Sequence, residues 1–389
     1  MKQGQSSGQS TGALRREAGL IRPLERTDLA QVSELYDASY GLTKTGELER
    51  RAEFFEKLFF ENPWRDERLC SLVYEEADGR LAAFAGVDIR RMVLHGKRLT
   101  VAVGGPLWAR LNEGQSSAGL MLLSRVLQGP QDLTIVGANE RVLGLWNFLG
   151  GRDNWFSGCR WLRPIRPVRF LLSRVCGSSW AAPIQAIGQP LARAADALLQ
   201  LLPKNRYRLE DSAADEEPLD IEEIVDQLPL ILASRSLRPD YEPSFLRWLL
   251  ECAGGPGNDG ALVSAMVRSR GQKLIGWYVY YLFRDGFAQV VQIGTQPSDA
   301  GTVVQNLISH AAKRGAVALL GRLDGSVAAA CSSRGYIHPY RYPSLLVHSR
   351  DGQIMDAAQS ADAFLSRLDN EWLHGMLRHP SYGVPNYPR

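Results

Sequence analysis

One order of predicted elements occurs twice along this chain, and this repetition constrains the fold more than any other feature. Each half is predicted to begin with two amphipathic helices, to continue with three strands joined by tight turns, and to end with a helix, a strand and another helix. The turn glycines Gly79 and Gly271 lie 192 residues apart, and the glycines after the last helices, Gly150 and Gly335, lie 185 residues apart. A nearly constant offset indicates duplication of a whole domain.

The predicted elements follow apolar periodicity and turn signals. Those of the first half are helices from Thr27 and over 48–59, strands over 71–75, 81–94 and 99–103, then helix 120–127, strand 133–136 and helix 139–149. Those of the second half are helices 220–233 and 243–252, strands 261–267, 273–283 and 287–293, then helix 302–313, strand 317–321 and helix 326–334.

The length of the chain also favours two domains. With 389 residues, it exceeds the ~250 to 300 residues at which single cores stop growing. The predicted segments are a disordered tail over 1–19, an N-terminal domain over 20–165, a helical linker over 166–204, a C-terminal domain over 205–350, and a C-terminal helix and tail over 351–389. The expected fold class is α/β, with a mixed sheet in each of the two domains.

Charge, hydropathy and cysteine content exclude several classes of protein. The formal net charge is +3, so no global field demands nucleic acid, and no such partner is expected. Because no apolar run reaches ~18 residues and the start lacks a secretory signal, we expect a cytoplasmic protein without stable membrane insertion. The five cysteines are scattered without paired spacing, which argues against a zinc site or a disulfide framework.

The linker contains an apolar stripe at helical spacing. Its members include Leu191, Ala195, Leu198 and Leu202, and arginines precede and follow it. Such a helix either packs on the protein core or lies on a membrane surface. Packing is the favoured interpretation, so the stripe is predicted to face protein.

A polar loop of small residues leads directly into a predicted helix in the first half. The loop residues that bear on ligand binding are Gln115, Ser116, Ser117, Ala118 and Gly119. A helix N-terminus presents unpaired amides and a partial positive charge, which suit a diphosphate. The small side chains would allow its close approach. An ordinary polar loop with a serine cap is the alternative.

The arrangement of elements resembles the GNAT acetyltransferase superfamily over most of the chain. In that family a Gln/Arg-x-x-Gly-x-Gly/Ala signature occupies the place of residues 115–120 here. Gln115 matches its first residue, Ala118 replaces its first glycine, and Leu120 replaces its last small residue. Residues 139–150 are similar to the family's Asn-x-x-Ala-x-x-x-Tyr-x-x-x-Gly-Phe helix, with Asn139 kept.

This resemblance implies two tandem acyl-CoA N-acyltransferase (GNAT-like) domains with degenerate motifs. It implies acetyl-CoA or another acyl-CoA as co-substrate, bound in the first domain. The coenzyme-binding residues that it implies are Leu107 and Ala109 beside the pantetheine arm, Gln115, Ser116, Ser117, Ala118 and Gly119 at the pyrophosphate, and Asn139.

The sequence departs from the family where a catalytic acid is expected. Trp146 stands near the tyrosine position, and an indole donates a hydrogen bond but cannot release a proton at useful pH. Glu113 is the carboxylate nearest the loop and Asp88 lies on the central strands, but each is interpreted as a solvated surface charge rather than a base. The catalytic residues are therefore left unassigned. The second domain lacks a clean signature and is interpreted as a partner that shapes the substrate site.

The expected activity is transfer of an acyl group, other than an aminoacyl group, from acyl-CoA to an amine or a hydroxyl. The acceptor would be a small molecule or a cell-envelope precursor, and an acyl-carrier protein could replace coenzyme A as donor. Two alternatives remain open: a catalytically inactive GNAT-fold module that binds a ligand or partner, and a Fem-like aminoacyl transferase.

Overall fold

The computed structural model describes residues 19–40, 48–110, 116–137, 140–175, 182–202, 205, 207–210, 212–255, 260–332, 336–338 and 345–371. The helices of the first half are α1 (Leu29–Tyr40), α2 (Leu48–Phe60), α3 (Ser116–Leu127), α4 (Glu140–Phe148) and α5 (Trp155–Gly158). Its strands are β1 (Leu20–Pro23), β2 (Leu72–Glu75), β3 (Leu81–Leu94), β4 (Lys97–Ala109), β5 (Leu133–Gly137), β6 (Arg152–Asn154) and β7 (Arg160–Pro164).

Two helices, α6 (Pro167–Val175) and α7 (Ala182–Leu201), connect the halves. The later helices are α8 (Ile221–Ile231), α9 (Pro243–Ala253), α10 (Ala300–Lys313), α11 (Gly325–Ser332), α12 (Gly352–Gln359) and α13 (Arg367–Asn370). The later strands are β8 (Asp215–Glu217), β9 (Leu237–Pro239), β10 (Gly260–Arg268), β11 (Leu274–Phe283), β12 (Phe287–Thr295), β13 (Ala318–Arg322), β14 (Ile337–His338) and β15 (Leu345–His348).

The two sheets have the same strand order. The first sheet runs β1-β2-β3-β4-β5-β15-β6, and β9 also pairs with β3. The second sheet, in the matching direction, runs β8-β10-β11-β12-β13-β7-β14. Each sheet is antiparallel except for one parallel pair at its centre, β4 with β5 and β12 with β13. Equivalent strands occupy equivalent positions, as the duplication predicts.

The halves exchange one strand each. Strand β7, which follows the first half, pairs antiparallel with β13 and β14 in the second sheet. Strand β15, which follows the second half, pairs antiparallel with β5 and β6 in the first sheet. Each predicted domain range therefore contains one strand that belongs to the other sheet.

Two tryptophans help to hold the exchanged strands. The buried indole of Trp146 on α4 donates a hydrogen bond of 3.0 Å to the carbonyl of Val347 on β15. Trp161 on β7 packs over Gly321 of β13, where an added Cβ would come within 2.5 Å of the indole ring. Each exchanged strand is thus fixed by side-chain packing as well as by its backbone pairing.

The largest apolar core is shared by the two halves. Trp64 of the first half stacks on Phe245 of α9, with ring centroids 3.4 Å apart. The Arg90 guanidinium of β3 lies 5.2 Å from the ring centroid of Phe245 and 5.5 Å from that of Trp248. Such aromatic and cation–π contacts stabilise the junction beyond the apolar area that they bury.

The predicted orientation of the linker stripe is wrong. Leu191, Leu198 and Leu202 are exposed, and Ala195 is half-buried. The face of α7 that turns inward instead carries Asp196, whose carboxylate accepts hydrogen bonds from the backbone amides of Val168 and Arg169 at the start of α6. An anchored carboxylate, rather than apolar burial, sets the rotation of this helix.

No helix among the described residues is long and apolar enough to cross a membrane. Within the same residues, no group of histidine, cysteine, aspartate and glutamate side chains is arranged to hold a metal ion.

The end of α4 provides a test of the strand exchange. An added Cβ at Gly151 would meet the Trp146 indole nitrogen at 2.0 Å, so Gly151→Ala must displace the side chain that holds β15. We expect it to lower the free energy of unfolding by ~1 to 3 kcal/mol, the usual cost of overpacking.

Gly144→Ala, inside α4, is the matched control. An added Cβ there meets no atom within 4 Å, and alanine favours a helix over glycine by ~0.5 to 1 kcal/mol. Denaturant unfolding should therefore show the two variants changing stability in opposite directions. Equal effects would mean that Trp146 does not restrain this position.

Candidate functional site

The first sheet opens between β4 and β5. The two strands run parallel from the pairing of Val101 with Leu133 to that of Gly104 with Val136. The register between β3 and β4 then shifts, because Val87 pairs with Gly104 whereas Ala85 pairs with Leu107. After this β-bulge, β4 continues to Ala109 on β3 alone within the described residues. A bulge increases local twist and bends a strand, and the described part of β5 ends at Gly137, so β4 is separated from β5 beyond this point.

Helix α3 begins beside this opening. It starts at Ser116, one turn before the predicted start, so residues 116–119 form its first turn rather than a loop. The first four amides of an α-helix have no intrahelical acceptor. An added Cβ at Gly119 would lie 3.1 Å from Leu107 Cδ2, so this first turn packs directly on the separated part of β4.

The structure therefore brings some of the predicted coenzyme-binding residues together. Gly119 contacts Leu107, Ala109 lies two residues farther along β4, and Ala118 packs in the shared core. Gln115, Asn139 and the side chains of Ser116 and Ser117 lie outside the described residues.

The second sheet has an equivalent opening between β12 and β13. These strands pair in parallel from Phe287 with Ala318 to Gln289 with Leu320. A register shift follows, because Tyr280 pairs with Val290 whereas Val279 pairs with Gln292. The geometry that separates the central strands is thus present in both halves.

The segment that leads into α13 lines this second opening. A pocket with about 350 Å³ of empty volume, part of it open to solvent, remains there. Its lining comes from both central strands, from α11, and from the segment that leads into α13. The lining residues are Val290, Val291, Gln292, Ile293, Arg322, Leu323, Asp324, Val327, Phe364, Leu365, Ser366 and Arg367.

A buried polar network holds this segment in place. The Gln292 amide group can donate to Tyr241 Oη at 2.9 Å and to Asp369 Oδ2 at 3.0 Å, and its carbonyl accepts from Trp277 Nε1 at 2.8 Å. The Tyr241 hydroxyl donates to Asp369. Burial raises the pKa of the Asp369 carboxyl, and burial with the nearby Asp369 carboxylate raises the pKa of Tyr241 well above its usual value.

The cations of the second opening are already paired. Arg322 donates to Glu371 at 2.6 Å, and Arg367 donates to the same carboxylate at 2.9 Å. Burial lowers the pKa of Arg322 to about 10. At the start of α10, the N-cap residue is Asp299, so an acidic side chain stands next to the free amides. An incoming diphosphate would meet like charge there.

The structure corrects the interpretation of Asp88 as a solvated surface charge. Asp88 is buried rather than solvated: it pairs with Arg90 and accepts from Asn62 Nδ2 at 2.5 Å. Burial raises the pKa of its carboxyl. Glu113 lies outside the described residues. The Trp146 indole points to β15 and is fully buried, so it is not available to a substrate.

Sequence reasoning missed the network of the second opening. Gln292, Tyr241 and Asp369 lie on three separate elements, and Asp369 belongs to a helix of four residues beyond the predicted second domain. None of them forms a short motif. Only the contact between distant segments reveals their relation.

Comparison with known proteins gives structural matches only. No family profile matches the chain, and a search of curated protein sequences finds no match. A solved structure of a probable N-acyltransferase from Enterococcus faecalis is similar, with a TM-score of 0.54 and 14% sequence identity over 86% of this chain and 73% of that chain. This match shows a shared fold over most of the chain.

A GCN5-related N-acetyltransferase from Anabaena variabilis is similar to the same degree, with a TM-score of 0.54 and 11% identity over 86% of this chain and 73% of that chain. These matches confirm the predicted α/β fold class and its GNAT-like character. Within this GNAT fold, the openings between β4 and β5 and between β12 and β13 are the equivalent positions of the two halves.

The network in the second opening can be tested by a double-mutant cycle. Tyr241→Phe leaves an Asp369 oxygen without its hydroxyl donor, and Asp369→Asn removes the charge that this hydroxyl faces. Each change should lower the free energy of unfolding by ~1 to 3 kcal/mol, the cost of leaving a buried polar group unsatisfied. Because the two residues are in contact, the double variant should lose less than the sum.

The exposed Asp362, which is outside this network, supplies the control as Asp362→Asn, with a change within about 0.5 kcal/mol. Additive effects of Tyr241→Phe and Asp369→Asn in chemical denaturation would show that the two groups do not interact.

Proposed function

We propose that this protein is an acyl-CoA-dependent acyltransferase whose coenzyme binds in the opening between β4 and β5. The observation that carries the proposal is the packing of the first turn of α3 on the part of β4 that has left β5. This arrangement puts a helix N-terminus and an unpaired strand edge next to each other. A long ligand with an anionic diphosphate and a flexible amide-containing arm matches both features.

The helix start suits the diphosphate. The amides of residues 116–119 belong to the first turn of α3, and they point along the helix axis without intrahelical acceptors. The helix dipole adds about half a positive charge at this end. No acidic residue occurs in α3. In this proposal Gln115 and Asn139 are further coenzyme contacts.

The strand edge suits the pantetheine arm. From Leu107 to Ala109, β4 pairs with β3 on one side and has no β5 partner in the described part of the chain. Backbone amides and carbonyls on such an edge need acceptors and donors, and the two amide groups of pantetheine can supply them. Leu107 and Ala109 would lie beside this arm.

The residues in the second opening argue that the chain has one coenzyme site, in the first opening. Residues 364–367 line its remaining space, and Glu371 pairs with the arginines nearby. Asp299 at the start of α10 adds a charge of the wrong sign. In this proposal the second half completes the fold and shapes the acceptor side of the site.

The chemistry requires little beyond positioning. An amine or hydroxyl attacks the thioester carbonyl, a base accepts its proton, and the thiolate of coenzyme A leaves. A hydrogen-bond donor to the carbonyl oxygen stabilises the charge that develops there. Asp88 is not assigned as the base, because its carboxyl is buried against Arg90. A binding module without catalysis would use the same coenzyme site, whereas a Fem-like transferase would take its aminoacyl group from a tRNA.

A charge placed on the first turn of α3 tests the coenzyme site. Ser117→Asp puts a carboxylate on this turn, where it favours the helix through the dipole by ~0.3 to 1 kcal/mol and repels a diphosphate. We expect the Kd for acetyl-CoA, measured by calorimetric titration, to rise at least about tenfold, which corresponds to ~1.4 kcal/mol. Ala118→Asp would be a poorer test, because Ala118 packs in the core.

Two control variants separate charge from size and from position. Ser117→Asn has a similar shape without the charge, and Asp299→Asn changes the equivalent end of α10. Both should bind acetyl-CoA within about twofold of the native chain. If the native protein binds no acyl-CoA, or if Ser117→Asp binds as tightly as Ser117→Asn, the site is not at the start of α3.

A further inference from the structure

The pair of helices that connects the two halves exposes an apolar surface. Leu191 and Leu198 on α7 are 69% and 65% exposed. Leu201 and Leu202 at the end of this helix and Leu171 on α6 are exposed as well. The spacing of Leu191, Leu198 and Leu202 places them on one face, so this surface is continuous along α7. We call it the linker surface.

Helix α7, which carries the linker surface, is firmly attached to α6. Asp196 is 1% exposed, and its carboxylate accepts from the amides of Val168 and Arg169 at 2.9 and 3.2 Å. An added Cβ at Gly188 would lie 3.2 Å from Leu172 Cδ2, so α6 and α7 are in close contact there. The inward face of α7 is fixed, and its leucines are held outward.

Charge is distributed very unevenly around these helices. Between residues 154 and 209 there are nine arginine and lysine residues and one acidic residue, Asp196. The whole chain has a net charge of only +3, so the remainder is net acidic. Asp196 is buried and pairs with Arg169 inside the helix pair, so it does not offset the exposed cations of this segment. Arg193 and Arg208 are exposed and form no ion pair among the described residues.

This charge argues against two other occupants of the linker surface. A symmetric dimer would bring two strongly basic segments together, and like charges oppose such a contact. The chain's own termini do not supply the missing negative charge either. Residues 1–18 contain three basic residues and one acidic residue, and residues 372–389 contain two arginines and no acidic residue.

We propose that the linker surface docks on an anionic lipid bilayer, with the leucines of α7 in the interface and the surrounding arginines near the lipid phosphates. An apolar helix face with adjacent basic residues binds such surfaces by buried apolar area and by charge together. The chain then associates with one leaflet and does not span the bilayer. This inference does not depend on the acyl-CoA proposal.

Vesicle flotation of the full chain tests the docking directly. The native protein should float with vesicles that contain about 30% phosphatidylglycerol in phosphatidylcholine, and it should float at least about tenfold less with phosphatidylcholine alone. Binding to the anionic vesicles should fall as salt is raised, because screening weakens the charge contribution. Failure to bind anionic vesicles at low salt would overturn the proposal.

Matched leucine variants test whether the linker surface makes the contact. Leu191→Gln/Leu198→Gln removes two exposed leucines from it, whereas Leu20→Gln/Leu230→Gln removes two leucines of similar exposure, 61% and 62%, from other elements. The first double variant should lose at least about tenfold in vesicle partition, and the second should bind like the native chain. All four positions are exposed, so folding should survive in both. Equal binding by the two variants contradicts the proposal.

Charge variants complete the design. Arg193→Gln/Arg208→Gln should lower partition to anionic vesicles about fivefold for each arginine, which corresponds to ~1 kcal/mol per basic residue. Sedimentation of the native chain without lipid is the remaining arm. A dimer that dissociates in Leu191→Gln/Leu198→Gln would identify a second copy as the occupant and would overturn the lipid assignment.

Discussion

The exchange of β7 and β15 is the constraint on which the rest of the structure depends. Each sheet is completed by a strand from the other half: β7 joins the second sheet, and β15 joins the first. Trp146 binds the backbone of β15, and Trp161 covers Gly321 in the second sheet. The halves therefore cannot complete their sheets independently, and the apolar core that contains Trp64 and Phe245 spans the junction between them. Cooperative unfolding of the two halves follows from this arrangement.

The two halves share one strand order, but different residues surround their equivalent openings. Both openings lie where the register of the central strand shifts, next to its parallel neighbour. In the first half, the helix that adjoins the opening, α3, contains no acidic residue. In the second half, Ser366 and Arg367 line it, and Gln292 ties the segment through Asp369. A proposed ligand site and a structural anchor have thus developed from the same geometry.

Apolar periodicity and turn glycines predicted the helices, the long strands and the duplicated order, because these depend on local sequence. The strand exchange could not be predicted, since β7 and β15 are short and their partners lie far away in the chain. The predicted orientation of α7 was wrong because Asp196 anchors the helix by a polar contact, which the spacing of apolar residues does not reveal. Asp88 was misassigned for a similar reason, because its partner Asn62 comes from the segment after α2, far from Asp88 in the sequence. The proposed coenzyme site rests on Leu107 and Gly119, which the fold brings into contact, while Gln115 and Asn139 stay predictions.

The central claim is that one acyl-CoA binds at the start of α3 and not at the equivalent start of α10. A crystal structure of the full chain grown with saturating coenzyme A tests it most directly. We expect density for the diphosphate within about 3 Å of the backbone amides of residues 116–119, with the pantetheine arm along residues 105–109 of β4. Density for the coenzyme at the start of α10 or in the opening between β12 and β13 would contradict it.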